Sequence, residues 1–139
     1  MPLQTEPHQA KAIGKNMRVS WKHCTEIGRF ISDDSVEKAK NKLERVIEKD
    51  LAVPATKFDS DAGHQGGGQG KGRYPVKAAE EVLQLLESAE GNAEHEGLNP
   101  AALKVDEFIT NQGPSFRTPK RHRGRSIKSA HVKIIVGER

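Results

Sequence analysis

Residues 108–137 read FITNQGPSFRTPKRHRGRSIKSAHVKIIVG, and the fold turns on them. These thirty residues hold no Asp or Glu, while seven are cationic: Arg117, Lys120, Arg121, Arg123, Arg125, Lys128 and Lys133. His122 and His131 add further donor or acceptor capacity. The whole chain carries 23 basic and 19 acidic residues, a formal charge of +4. Without the seven cations of this stretch the balance is 16 against 19, or −3. The positive charge is therefore one concentrated element on a slightly acidic body, and a field of one sign on one element points to a polyanionic partner.

The two ends of the stretch read as strands. Leu103-Lys104-Val105 begins an alternating run, and Val132, Ile134 and Val136 share one face, with Ile127, Ser129, His131, Lys133 and Ile135 on the other. Two such segments pair as antiparallel strands. The residues between them, Thr110 to His131, are too polar to pack and too many for a simple turn. Continued outward as a hairpin, each arm of ~10 residues at ~3.3 Å per residue would reach about 30 Å from the body. A two-stranded ribbon has no core of its own and is marginal in water. Gly113-Pro114, Pro119 and Gly124 mark bends or bulges in its ladder. Arg121, Arg123 and Arg125 alternate, so in an extended strand they would project to one side. Phe116 would either stack on an unpaired base or pack across the hairpin.

Working outward, 139 residues is a single-domain length. An apolar fraction of 34%, only six aromatic residues and a mean hydropathy of −0.74 predict a small core. The isoelectric point near 9.3 suits a nucleic-acid binder. Cys24 is the single cysteine, which excludes an intrachain disulfide. No leader-like apolar segment opens the sequence and no run approaches the ~18 apolar residues of a membrane span. A cytoplasmic protein without membrane contact is expected.

Residues 1–10 read as a flexible tail and 11–139 as one domain. Met17 and Val19 alternate with Asn16 and Arg18, which predicts a short edge strand. Ser20 is placed to cap a helix whose inner face is Cys24, Ile27 and Ile31, and His23 is taken as a surface or satisfied histidine. Asp34 and Glu37 have capping-box spacing before an amphipathic helix with Val36, Ala39, Leu43, Val46 and Ile47 on one face. Residues 53–73 form a long glycine-rich loop, of a length that is usually functional or disordered. Its Gly70-Lys71-Gly72 fails as a phosphate-binding P-loop, which needs Ser or Thr after the lysine and a preceding strand. Lys57, Lys71 and Arg73 can instead touch a phosphate backbone. Pro75 suits the first turn of a third helix, with Ala79, Val82, Leu83, Leu86, Ala89 and Ala93 inward and a row of glutamates outward.

Gly72-Arg73-Tyr74-Pro75-Val76-Lys77-Ala78-Ala79 then resembles a known family. The agreement runs on through Leu85 to Leu98, and includes Ala62-Gly63-His64, Gly113-Pro114, Gly124-Arg125 and Ala130 to Val136. The sequence is similar to the universal large-subunit ribosomal protein twenty-two family in bacterial counting, seventeen in eukaryotes, and its glycine-rich insertion is similar to the archaeal and eukaryotic branch. The resemblance implies an α+β fold: three helices packed on a small antiparallel β-sheet with a long protruding β-hairpin, here about residues 108–133. It implies a structural constituent of the large ribosomal subunit, without enzymatic activity, cofactor, catalytic residues or metal. Such a protein binds ribosomal RNA, supports subunit assembly, adjoins neighbouring ribosomal proteins, and lines the nascent-peptide exit tunnel with its hairpin. The candidate RNA-contacting residues are Lys57, His64, Lys71, Arg73, Arg117, Lys120, Arg121, His122, Arg123, Arg125, Lys128 and Lys133. Pro119, Lys120, Arg121, His122 and Arg123 are expected at the tip and tunnel wall. Only Ser126 to Ala130 separate Arg125 from His131, so the arm is expected to be a few residues shorter than is usual. A DNA architectural protein with a basic β-arm is the alternative.

Overall fold

The computed structural model describes residues 6–60, 62–65, 70–122 and 124–138, with only the backbone of Gln65 and His122. In chain order the elements are β1 (Gln9–Met17), α1 (Trp21–Ile31), α2 (Val36–Ile47), β2 (Val53–Pro54), β3 (His64–Gln65), β4 (Gly70–Arg73), α3 (Val76–His95), β5 (Leu103–Gln112), β6 (Phe116–Arg117), β7 (Ser126–Ile127) and β8 (Ala130–Glu138), with single 3-10 turns at Pro100–Ala102 and Lys120–His122.

The main sheet has the order β1-β8-β5, and both pairings are antiparallel. Strand β8 takes the centre because it is the most apolar of the three. Val132, Ile134 and Val136 are fully buried on the helix side, and each such side chain contributes roughly 1.5–3 kcal/mol relative to exposure. Strand β1 is an edge strand, but it spans Gln9–Met17, so Arg18 and Val19 of the expected alternation fall beyond its end. It begins at Gln9, inside the segment expected as tail, because Ala10 lies opposite Val136 and is buried there. Two bulges shape the sheet, one between Gly14 and Met17 and one between Val105 and Glu107. At the second, Asp106 accepts a hydrogen bond from the Gln9 side-chain amide at 3.0 Å. That contact passes over Gly137, where a Cβ would stand 2.1 Å from Asp106 Oδ2.

The helices follow their 3.6-residue periods. In α1 the buried face is Cys24, Ile27, Gly28 and Ile31. Gly28 lets the ring of Phe108 on β5 lie directly against the helix, since a Cβ there would be 2.3 Å from a ring carbon. In α2 the buried residues are Val36, Ala39, Leu43 and Val46, with Ile47 partly covered. In α3 the buried face is mostly alanine (Ala78, Ala79, Ala89 and Ala93, with Val82 and Leu86). Small side chains let α3 approach both α2 and β1 closely.

Two expectations change. The cap of α2 is Ser35, whose hydroxyl accepts from the Lys38 amide at 3.3 Å. Asp34, expected to cap, instead forms ion pairs with Lys42 and Lys38, because its backbone is engaged with Val105 of β5. Residues 53–73, expected as one long loop, contain a miniature sheet of order β2-β4-β3. Val53 and Pro54 pair with Arg73 and Gly72, and His64 and Gln65 pair with Lys71 and Gly70. The backbone of Gly70–Arg73 is thus committed on both sides, which closes the P-loop reading on structural grounds as well.

Candidate nucleic-acid interface

The hairpin grows directly out of the core. The β5–β8 ladder runs from Leu103↔Glu138 to Gln112↔Ala130. It then kinks at Gly113, whose amide donates to the Ser129 carbonyl at 2.9 Å. Ser129 Oγ donates to the Pro114 carbonyl, and this serine is only 5% exposed. A Cβ at Gly113 would stand 2.4 Å from Ser129 Oγ, so a glycine is needed where the two arms cross. The ribbon resumes with Phe116↔Ile127 and Arg117↔Ser126, and the Thr118 amide donates to the Arg125 carbonyl at 3.1 Å. The end is the 3-10 turn Lys120–His122, with Lys120 at φ 57°.

This places the sequence-predicted residues as follows. Arg117, Lys120, Arg121, Arg125 and Lys128 are exposed on the outer ribbon, as are Pro119 and Phe116, the latter 54% exposed. Arg121 sits in a 3-10 turn rather than an extended strand, so the alternation that would align it with Arg123 and Arg125 does not hold at that position. Arg123 and the His122 side chain lie outside the described residues. Lys133 lies on the opposite face of the main sheet from the helices, beside Ile13 of β1. His131, on the same face, accepts a hydrogen bond at Nδ1 from the Asn16 amide at 3.1 Å.

Of the glycine-rich candidates, Arg73 lies beside α1 and the Lys57 segment is held to that helix by Glu26, 7% exposed. Its carboxylate accepts from the backbone amides of Thr56 (2.8 Å), Lys57 (2.8 Å) and Phe58 (3.0 Å) and from the Thr56 hydroxyl (3.1 Å). Burial alone would raise the pKa of Glu26, but these hydrogen bonds outweigh it and hold the carboxyl below its ordinary value. Phe58 meets Trp21 edge-on at 5.2 Å, with the Lys22 and Lys57 ammonium groups 5.4 and 5.5 Å from its ring centre. Arg73 donates to the Ser60 carbonyl at 2.9 Å and so closes the same loop. His64 and Lys71 are exposed on the miniature sheet, with Lys71 4.0 Å from Asp59.

The outer ribbon lies alongside the N-terminal ends of α1 and α3, and the three enclose an open groove of about 580 Å³. Arg125 and Lys128 line it from the hairpin; Arg18, His23 and Lys77 line it from the body, and no acidic side chain among the described residues does. Neither helix receives a side-chain cap hydrogen bond or has an acidic residue in its first turn. Each instead carries a lysine there, Lys22 and Lys77, against the preference of the helix dipole. The His23 pKa is lowered, first by burial and then by the Arg73 and Lys128 cations. Sequence reasoning missed Glu26, Arg18 and Lys77. The signal for Lys77 was present: a cation, not a carboxylate, follows Pro75 at the helix start.

Comparison with known proteins agrees with this architecture. Residues 12–136 match the family model described as ribosomal protein L22p/L17e. A large ribosomal subunit protein uL22 of Methanosphaera stadtmanae is 41% identical, with 93% of this chain and 88% of the relative covered. Proteins of the same name from Methanococcus aeolicus and Thermofilum pendens are 36% and 34% identical, each with 98% of this chain and 94% of the relative covered. A three-helix α+β body, a hairpin rooted in its central strand and a match across nearly the whole length converge on one conclusion: the chain belongs to the ribosomal protein L22p/L17e family, in its archaeal-type branch.

Proposed function

We propose that this chain binds large-subunit ribosomal RNA through its hairpin and the adjoining basic end of the body. On this reading it helps the subunit assemble, contacts neighbouring ribosomal proteins, and sets its tip, Pro119 to Arg123, in the wall of the nascent-peptide tunnel. Membership of the family makes it a non-enzymatic structural protein of the large ribosomal subunit. The observation that carries the finer reading is the hairpin's composition and mounting. Six cations without one acid fall between Arg117 and Lys128, and the seventh, Lys133, lies on the central strand that roots this ribbon in the buried sheet. Exposed arginine and lysine contact phosphates and supply affinity without reading sequence, while the rigid root fixes where they go. The acidic outer face of α3, with Glu80, Glu87 and Glu94 exposed, would be repelled by RNA and is assigned away from it.

The test is the salt dependence of binding to protein-free large-subunit ribosomal RNA. Neutralising about seven phosphates gives log K against log salt a slope near −5, using the single-strand coefficient of ~0.7 per phosphate. Replacing Arg121, Arg123 and Arg125 together with serine should flatten that slope by about 2. An unchanged slope would remove the hairpin as the binding element.

A further inference from the structure

We propose that Ser126 is a phosphorylation site, and that its phosphate would pair with Arg18 and Lys77 across the groove, clamping the hairpin to the body while the chain is free of RNA. The effect on binding rests on the RNA-binding reading above; the acceptor site and the clamp do not.

Sequence and structure single out this serine independently. Arg121 and Arg123 stand five and three positions before it, with Arg125 directly before and Ile127 directly after. No other serine or threonine of the chain has arginine at both of those places. Kinases select substrates by charge pattern, and an acidic cleft fits arginines at this spacing ahead of the acceptor. The acceptor must also be extended and accessible. Ser126 is exposed and begins β7, which pairs with β6 in a two-stranded sheet. By contrast Ser129, on the same limb, is buried with its hydroxyl given to the Pro114 carbonyl.

In the step itself the Ser126 oxygen attacks the terminal phosphorus of a nucleoside triphosphate. The new O–P bond replaces the bond to the bridging oxygen, the nucleoside diphosphate leaves, and the hydroxyl proton passes to a carboxylate base of the kinase.

The groove supplies the consequence. Ser126 lines it together with Arg18, Lys77, Arg125 and Lys128. None of these four cations makes an ion pair among the described residues. A phosphoserine brings a charge of about −1.5 to −2 and three acceptor oxygens. Placed on the hairpin wall, it would draw the cations of the body wall toward it through charge-assisted hydrogen bonds. Cations engaged in this way are withdrawn from external phosphates, and removal of the phosphate would restore the open groove.

The experiment treats the full chain and Ser126→Ala with a purified arginine-directed protein kinase and magnesium ATP. Peptide mass spectrometry is expected to place the phosphate on Ser126, and the alanine variant to take up little. Phosphorus NMR then titrates the modified chain. The clamped phosphate should show a second pKa of about 5, against the ~6 of an exposed phosphoserine. Arg18→Ser with Lys77→Ser should return it to about 6. On protein-free large-subunit ribosomal RNA the modified chain should give a salt slope flatter by about 1.4, from ~0.7 for each of two cations engaged. Phosphate on another residue, or on none, overturns the proposal. So does a phosphate that titrates like an exposed one, or one whose shift survives the Arg18 and Lys77 substitutions. If the unmodified chain itself binds without salt dependence, the RNA-binding reading fails, while the mass and phosphorus results still decide the phosphorylation site and the clamp.

Discussion

Replacing Glu26 with glutamine tests the account of how the basic end of the body is held together. The carboxylate is buried and accepts four hydrogen bonds, two on each oxygen. Glutamine keeps one oxygen and turns an NH2 toward the donors on the other side, so two bonds are lost and two donors are left facing a donor. Hydrogen bonds to a charged acceptor are worth roughly 1.5–3 kcal/mol each and are not strictly additive, so a loss of about 3 kcal/mol is expected. Hydrogen exchange reads this directly. At about 1.4 kcal/mol per decade, the amides of Thr56, Lys57 and Phe58 should exchange about a hundredfold faster in the variant at pH 7. The dependence on pH carries a sign. The folded pKa of Glu26 lies below its ordinary value, so the stabilisation is whole above the unfolded value of ~4.3 and is lost as pH falls through the folded pKa. Wild type and variant should therefore converge in acid, once the pH falls below the folded pKa of Glu26. Equal exchange rates at pH 7, or a difference that survives in acid, would refute the anchoring role.

Other perturbations reach different parts of the fold. Gly28→Ala should cost about 1–3 kcal/mol in urea denaturation, because the new methyl stands 2.3 Å from a Phe108 ring carbon, and pairing it with Phe108→Leu should recover part of the loss. Cys24, fully buried, has its thiol pushed up to about 12 by burial and then by the nearby Glu81 charge. Iodoacetamide at pH 8 should leave it unmodified in the native protein and label it in denaturant; rapid native labelling would contradict the packing of α1.

What was legible in the sequence is what local period encodes. The inner faces of all three helices follow from spacing alone, and so do the strands at 103–105 and 132–136. The hairpin was visible because charge and apolar pattern change together at its root. The miniature sheet at 53–73 is not, since glycine has little strand preference and the loop is held by Glu26, which reaches it from α1. Capping-box spacing points to Asp34 because spacing alone cannot reveal that its backbone is claimed by Val105. Arg18 and Lys77 are 59 positions apart in sequence and face one groove only because α1 and α3 start side by side.

The position of β8 has a consequence for how the molecule comes into being. Strands β1 and β5 never pair with each other; each pairs only with β8, which follows every other described element along the chain. Gln9 therefore waits for Gly137, across almost the whole sequence, before its side of the sheet exists. Helices can form early from local contacts, but a sheet closed by its last strand folds at the slow, non-local end of the scale. During synthesis the cationic hairpin limb at 116–127 is complete before the strand that mounts it. An RNA strand that meets the nascent protein would thus encounter the charge before the scaffold, and folding of the body would set the geometry of a contact already begun.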